Sequence, residues 1–396
     1  MNQFTDFFPQ VLIVAVLLLG ALAAAPLAAK ARLPGPAVFL AVGIVAGLAG
    51  VAPVDHLSPL RLQEIGAIAL YAILFQGGLA TGLSAFRSNA RAIVLLGLPG
   101  TLATAALLAA ASHFVLRLDW SLAAIIGIAL APTDPAAVYA VLRGGGDSRA
   151  RRILEGESGV NDPIGISLMV VAVEYISRDG SIGGGAGRLA QELGIGLLGG
   201  LAGAGLLLAL LASMPRLDMG LQAGAMAIGA LIVGSGTASL HGSGFLAVYI
   251  SGLVLSDRWA ERRGPWHAIP EALSGIAEPL VFGLLGAAFA NYVGWDDLWR
   301  GLVITLITAL VVRPIVAWPC LIGTDLTRRE RLLVSWGGLK GAVPLLLAAY
   351  PALESIQSAK TSAAIVLVAT AASVVVQGAT LTLVAGPDAA TQPDGP

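Results

Sequence analysis

Charged residues and cysteine are both scarce in this chain of 396 residues. Only 12% of the residues are charged, whereas a typical soluble domain carries about 25%, and the mean hydropathy is +0.84. These values exclude a soluble globular protein and a disordered one. The net charge of −1 gives no overall attraction to nucleic acid. The single Cys320 excludes an intrachain disulfide and a thiolate metal cage.

Apolar and small residues dominate the composition instead. The apolar set makes up 57% of the chain, aromatic residues only 6%, and there are 50 glycines. Small residues let helices approach closely within lipid, so the composition predicts an all-α, polytopic membrane protein. A bilayer core of about 30 Å needs about 20 apolar residues per helix. Runs of that length predict thirteen spans, at 8–29, 34–53, 62–84, 90–115, 120–142, 150–176, 187–213, 218–239, 242–256, 268–292, 298–319, 330–350 and 360–386.

The distribution of basic residues predicts the orientation of these spans. No basic residue precedes the first apolar run, and Lys30 and Arg32 follow it. The run is therefore predicted to be a span with its N-terminus outside, not a cleaved signal peptide. Lys and Arg then concentrate in alternate loops, as cytoplasmic loops do. We expect a multi-pass protein of the cell (inner) membrane with a cytoplasmic C-terminus and a short polar tail at 387–396.

Several ionisable residues are predicted to lie at membrane depth, where a charge costs about 2.5–3.5 kcal/mol even on a lenient scale. Acids outnumber bases among them, so at least one carboxyl group lacks a fixed basic partner. Such a group can bind a proton and a metal cation in turn. Gln76 and Asn161 are neutral companions. The ionisable set is Asp134, Glu157, Asp162, Glu278, Arg313 and Lys340.

The sixth span carries a dense group of polar residues at 155–163. Ser158 and Asp162 are four residues apart and share a helix face, as do Glu157 and Asn161. A hydroxyl and a carboxylate on one face suit a hard alkali cation, which prefers oxygen ligands. The alternative is that these acids only pair with bases inside the helix bundle.

The fifth and twelfth spans are both interrupted next to a charge. The fifth contains Pro-Thr-Asp-Pro at 132–135, and the twelfth is rich in glycine at 337–344, around Lys340. Irregular backbone at membrane depth is tolerated only where it is buried or lines a cavity. Spans that are seven apart run in opposite directions. We therefore expect two inverted six-helix repeats whose broken helices cross near the midplane, as in transporters; ordinary proline kinks are the alternative.

On the residues alone, two functions remain possible besides a transporter that binds a proton and a cation in turn. Gly-Glu-Ser-Gly at 156–159 has the surround of an intramembrane serine protease, with Ser158 as nucleophile and His241 as its base. A cation channel is the second alternative. A channel needs a continuous pore but no titrating carboxylate. A transporter that exchanges a proton for a cation needs the carboxylate.

At these motifs the chain resembles the NhaP-type cation/proton antiporters, relatives of the eukaryotic sodium/proton exchangers. The resemblance rests on Ala-Pro-Thr-Asp-Pro at 131–135, Glu-Ser followed by Asn-Asp-Pro at 157–163, and Gly-Leu-Lys-Gly-Ala-Val-Pro at 338–344. It extends to Phe-Gln-Gly-Gly at 75–78 and Glu-Pro-Leu-Val-Phe at 278–282. It implies a thirteen-helix fold, a homodimer in lipid, and electroneutral exchange of one Na⁺ or K⁺ for one proton, with no cofactor.

The resemblance also implies that the chain is divided into moving and fixed parts. Helices 4–6 and 11–13 would form a transport core that moves, elevator-like, against a dimerisation scaffold. The expected bounds are 1–86 and 217–294 for the scaffold, 87–180 and 295–386 for the core, and 181–216 for a linker helix.

Roles for individual residues follow from the resemblance by position. Asp162 would alternately hold the cation and the proton. Ser158 and the backbone of Thr133 would add oxygen ligands for the alkali cation. Asn161 would brace the site, and Asp134 would lie at the helix break.

Two ion pairs are expected around this site. Glu157 would pair with Lys340, at a position where the family more often has arginine. We further expect Glu278 and Arg313 to form a structural pair in the core.

The chain departs from the family pattern at two points. The family usually has an acid where this chain has Gln76, which leaves the contribution of this residue open. Many relatives carry a cytoplasmic regulatory domain after the last span, and we expect none here. The motifs leave sodium and potassium as alternatives.

Overall fold

A computed structural model describes residues 2–30, 33–51, 58–134, 148–178, 182–213, 219–260, 268–354 and 356–385. Every regular element in these ranges is a helix. Among the described residues, eight helices are long and apolar enough to cross a membrane, and five further apolar helices have 10–17 residues. The chain is thus an all-α, multi-pass membrane protein, which confirms the prediction from composition.

The helices coincide closely with the predicted spans. Residues 135–147, which include the end of the predicted fifth span, and the predicted tail lie outside the described residues. The helices of the first half are α1 (Asn2–Lys30), α2 (Gly35–Leu48), α3 (Pro59–Thr81), α4 (Leu83–Leu95), α5 (Thr101–Phe114), α6 (Trp120–Ala129) and α7 (Arg149–Arg178). The others are α8 (Ile182–Ser213), α9 (Met219–Ser239), α10 (Gly244–Ala260), α11 (Ala268–Ala290), α12 (Trp295–Ile307), α13 (Arg313–Cys320), α14 (Arg328–Trp336), α15 (Ala342–Ala349), α16 (Ala359–Ala372) and α17 (Gly378–Ala385).

Short π-helical segments interrupt corresponding spans in the two halves. Leu96–Gly100 joins α4 to α5 and contains Pro99, and Thr308–Val312 joins α12 to α13 just before Pro314. Proline lacks an N–H and clashes with the carbonyl four residues earlier, and a π-turn is one way in which a helix absorbs such a local defect. The two segments lie in predicted spans four and eleven, which are seven apart. The interruptions therefore recur at the offset that the two-repeat prediction requires.

Glycines allow close helix packing at several points among the described residues. Gly43 and Gly47 of α2 lie against the backbone of Gly283 and Ala287 in α11, where an added Cβ would overlap backbone atoms. Helix α3 approaches α10 in the same way at Gly78. This is the small-residue packing that helices use in lipid, where no hydrophobic force drives them together. Because α3 also contacts α11, the four helices α2, α3, α10 and α11 form one packed group.

The second half of the interrupted twelfth span is buried throughout. All eight residues of α15 are buried, and the neighbouring α16 is buried continuously from Ser362 to Thr370. The principal hydrophobic cluster of the protein includes residues of both helices together with α3, α5, α6, α7, α11 and α12. The helix breaks therefore lie inside the protein, where an unpaired charge or backbone group is costly.

Candidate cation and proton site

The two helix breaks meet through a backbone hydrogen bond. Helix α6 ends at Ala129, and the following residues up to Asp134 are irregular. In the other half α14 ends at Trp336, and α15 begins at Ala342. The N–H of Asp134 donates to the carbonyl oxygen of Leu339 at 2.8 Å. The broken segments are thus in direct contact, as the pattern of proline and glycine predicts.

Lys340 lies at the C-terminal end of the half-helix that precedes the first break. Its ammonium group donates to the carbonyl oxygens of Pro132 at 3.1 Å and Ala131 at 3.5 Å, and its side chain is 2% exposed. Carbonyls that have lost their helical donors carry partial negative charge at a helix C-terminus. The lysine satisfies these carbonyls and offsets that charge.

Asp134 lies at the start of the second broken helix. Its carboxylate packs against Gly341, the residue that precedes α15, so closely that a Cβ at position 341 would clash with it. A carboxylate at a helix N-terminus is stabilised by the exposed N–H groups there. The acid of the first break and the base of the second therefore lie against opposite half-helix ends.

Helix α7 presents Ser158 and Asp162 to the same region. Asp162 is 7% exposed, and the hydroxyl of Ser158 donates to its Oδ2 atom at 3.3 Å. Within the described residues, Asp162 forms no salt bridge. A carboxylate that is buried with one weak hydrogen bond and no fixed counterion is poised to exchange a proton for a cation.

Asn161 joins α7 to the first break. Its amide nitrogen donates to the hydroxyl oxygen of Thr133 at 2.9 Å, and its amide oxygen accepts from the N–H of Thr133 at 3.4 Å. Asn161 is 1% exposed and Thr133 4%. The amide therefore holds the irregular backbone in place beside Asp162.

The prediction that Glu157 pairs with Lys340 is wrong. Glu157 pairs with Arg313 through two bonds, 2.5 Å from Nη1 to Oε1 and 2.7 Å from Nη2 to Oε2, and both side chains are buried. Lys340 forms no salt bridge within the described residues, because its ammonium group is directed to the carbonyls of Pro132 and Ala131. The planar guanidinium matches both carboxylate oxygens at once, which an ammonium group does not.

The prediction that Glu278 pairs with Arg313 is also wrong, because Arg313 has other partners. Arg313 is occupied by Glu157 and by the carbonyl oxygen of Val334, which it reaches at 3.1 Å. The Oε1 atom of Glu278 is buried and has no hydrogen-bond partner among the described residues. Glu278 is therefore a second carboxylate of the region without a basic partner among those residues.

One cavity of about 230 Å³ brings most of the predicted site residues together. Its walls come from α3, α7, α10, α11, the first break and the first turn of α15. Four predicted residues do not line it: Asn161 and Lys340, which bind Thr133 and Pro132, and the paired Glu157 and Arg313. The predicted residues that line the cavity are Gln76, Thr133, Asp134, Ser158, Asp162 and Glu278.

Sequence reasoning missed several residues of the cavity wall. Tyr249 of α10 is fully buried, and its ring lies against Gly159, where an added Cβ would clash with it. Nothing in the local sequence marks this tyrosine. Ser274 also lines the cavity, and its position four residues before Glu278 repeats the spacing of Ser158 and Asp162, a pattern that was visible in the sequence.

The serine protease alternative lacks its base. The hydroxyl of Ser158 donates to Asp162, not to a histidine. His241 is exposed in the turn between α9 and α10, whereas Ser158 is buried. A serine without a base in hydrogen-bond reach is not an activated nucleophile.

Comparison with known sequences relates the chain to one family of transport proteins. Residues 13–385 match the family model described as sodium/hydrogen exchanger, transmembrane. The chain is 30% identical over 394 residues to the K⁺/H⁺ antiporter NhaP2 of Shewanella baltica, which covers 97% of this chain and 67% of that protein. It is 26% identical over 375 residues to the Na⁺/H⁺ antiporter NhaH of Halobacillus aidingensis, covering 88% of this chain and 90% of the relative.

The fold has a solved counterpart. The structure of the sodium proton antiporter MjNhaP1 from Methanocaldococcus jannaschii at pH 8 superposes with a TM-score of 0.80 at 22% identity, covering 96% of this chain and 98% of that one.

The chain spans about two thirds of the length of the NhaP2 relatives, 63% for that of Shewanella oneidensis. The family match over almost the whole chain shows that this protein belongs to the sodium/hydrogen exchanger transmembrane family.

Proposed function

We propose that this protein is a secondary antiporter that exchanges a monovalent cation, Na⁺ or K⁺, for a proton. The observation that carries the proposal is Asp162, a buried carboxylate without a salt bridge among the described residues, on the wall of a cavity at the crossing of two broken helices. Membership of an exchanger family agrees with transport rather than with an enzyme.

Competition for one carboxylate couples the two fluxes. Protonated Asp162 is neutral and binds no cation, whereas ionised Asp162 attracts one. Ser158 and the backbone of Thr133 supply further oxygen ligands, which hard alkali cations prefer. Because the site carries the same net charge with either substrate bound, the exchange is electroneutral at one cation for one proton.

The position of the cavity between helix groups supports an elevator-like cycle. Asp162 and Thr133 line it from the proposed transport core of 87–180 and 295–386. Helices α3, α10 and α11 line it from the proposed scaffold of 1–86 and 217–294, with 181–216 as linker. Movement of one group against the other would expose Asp162 alternately to the two sides of the membrane.

The remaining parts of the proposal concern the assembly. We place the protein in the cell (inner) membrane as a homodimer in lipid, with the N-terminus outside and the C-terminus in the cytoplasm. The asymmetry of Lys and Arg between alternate loops supports this orientation. The antiporter relatives include proteins named for K⁺ and for Na⁺, so both cations remain candidates here.

Reconstitution into vesicles with an imposed pH gradient tests the function. Addition of Na⁺, K⁺ and Li⁺ in turn should dissipate the gradient for at least one cation, without dependence on the membrane potential. A channel would pass the cation without moving protons in exchange and would respond to the potential. Cation flux that leaves the pH gradient intact contradicts the proposal.

A further inference from the structure

Glu278 is an acid that the proposed cycle does not use. It lies within α11, and its Oε1 atom is buried without a hydrogen-bond partner among the described residues. Leaving a carboxylate at membrane depth without compensation is costly. Arg313, the expected partner, is bound to Glu157. A proton or a cation that reaches the cavity is then needed to neutralise it.

The surroundings of Glu278 are those of a cation ligand. It lines the same cavity as Asp162, and Ser274, one helical turn earlier on α11, lines it too. A hydroxyl and a carboxylate four residues apart share a helix face, the arrangement of Ser158 and Asp162 on α7. Pro279 cannot donate to the carbonyl of Gly275, so α11 has a further carbonyl oxygen without its usual helical donor.

We infer that α11 supplies a second oxygen-ligand pair, Ser274 and Glu278, which shares the transported cation with Ser158 and Asp162. The inference rests on the proposed antiport and names the ligands on the scaffold side of that same site. Because α7 and α11 belong to different helix groups, the cation is held from both sides only while the groups stand as in this structure. Glu278 thereby sets how strongly the cation is captured, and Asp162 remains the group that exchanges it for a proton.

The first test is Glu278→Gln in reconstituted vesicles, with the initial rate measured against the concentration of the cation that the wild-type protein transports. Losing a charged ligand should raise the half-saturating concentration on the order of tenfold and change the maximal rate much less. Glu271→Gln is the matched control, because Glu271 is an exposed acid two helical turns away on α11. It should leave the half-saturating concentration unchanged.

A variant that moves the carboxylate from Glu278 on α11 to position 76 on α3 distinguishes a ligand role of Glu278 from a structural one. Gln76 lines the same cavity from α3, so Gln76→Glu in the Glu278→Gln background returns one carboxylate to it. This double variant should recover most of the lost apparent affinity. Glu278→Asp should recover part of it, and Ser274→Ala should raise the half-saturating concentration by a smaller factor than Glu278→Gln.

The outcomes are distinguishable from a failure of the antiport itself. Wild-type protein that exchanges normally, with Glu278→Gln at an unchanged half-saturating concentration, overturns this inference and leaves the proposed function standing. Wild-type protein without exchange overturns both. Where Glu278→Gln does not fold, Glu278→Asp and Ser274→Ala decide: raised half-saturating concentrations support the ligand pair, and unchanged ones overturn it.

Discussion

The pair of Glu157 and Arg313 shows what the sequence could and could not predict at the scale of a residue. Among the described residues Glu157 is paired and Asp162 is not, and the sequence places the two acids on different faces of one helix. The partner of Glu157 was not predictable, because Lys340 and Arg313 both lie in the proposed core. The choice depends on two carbonyls freed by a helix break, which bind the lysine and leave the arginine for the carboxylate.

A double-mutant cycle tests this pair. Breaking a buried pair on one side costs about 3–5 kcal/mol, while removing both charges is often nearly neutral. Glu157→Ala and Arg313→Ala should each lower the melting temperature in detergent, and the double variant should recover part of the loss. Arg61→Ala is the control, because Arg61 and Glu64 form an exposed pair, which contributes about 0–1 kcal/mol. Strictly additive losses would show that Glu157 and Arg313 do not interact.

Gln76 is a residue whose effect on the site is predicted to be electrostatic. Gln76→Glu adds a negative charge to the cavity that holds Asp162, and the side-chain volume hardly changes. The added charge should lower the half-saturating cation concentration. It should also shift the pH profile of exchange to higher pH, because a neighbouring negative charge favours protonated Asp162. A folded variant with an unchanged pH profile and cation dependence would remove Gln76 from the site.

At the scale of an element, the interrupted fifth and twelfth spans were predictable because proline and glycine mark them directly. The partial charge of opposite half-helix ends explains the positions of Lys340 and Asp134 in the structure. The cavity wall was harder to predict. Tyr249 and Gly159 meet only because α10 and α7 cross there, and no local pattern encodes that crossing.

Gly341→Ala tests the contact between the two breaks. A Cβ at this position would clash with the carboxylate of Asp134, so the variant should lose most exchange activity and have a lower melting temperature. Gly236→Ala on α9 is the control, because its Cβ would meet no atom within 4 Å. Alanine in a helix interior is favoured over glycine by up to about 1 kcal/mol, so the control should be unchanged or slightly more stable. Normal exchange by Gly341→Ala would contradict the close contact.

At the scale of the whole molecule, the number and order of spans were predictable because the bilayer sets their length and the charged loops separate them. The resemblance predicts relative movement of the helix groups, but it does not show which contacts between them would allow that movement. The contact of Gly159 with the ring of Tyr249 lies between the proposed core and the proposed scaffold. It is a point at which the proposed movement can be obstructed.

Gly159→Ala should slow exchange by obstructing that contact, because the added methyl group meets the ring of Tyr249. Tyr249→Leu removes the ring atoms concerned, so the double variant should exchange faster than Gly159→Ala alone. The measurement is the initial rate of exchange at saturating cation in vesicles. A double variant slower than either single variant would show that the two residues do not obstruct each other across this boundary.

The central claim is that one carboxylate, Asp162, carries the cation and the proton in turn, and Asp162→Asn tests it most directly. Asparagine keeps the shape of the side chain but neither carries a proton nor balances a cation. The coupled flux of cation and proton should be measured for the wild-type protein and this variant in the same vesicles, after both are shown to be folded. The account predicts coupled exchange by the wild-type protein and none by Asp162→Asn. Substantial coupled exchange by the folded variant would contradict the account.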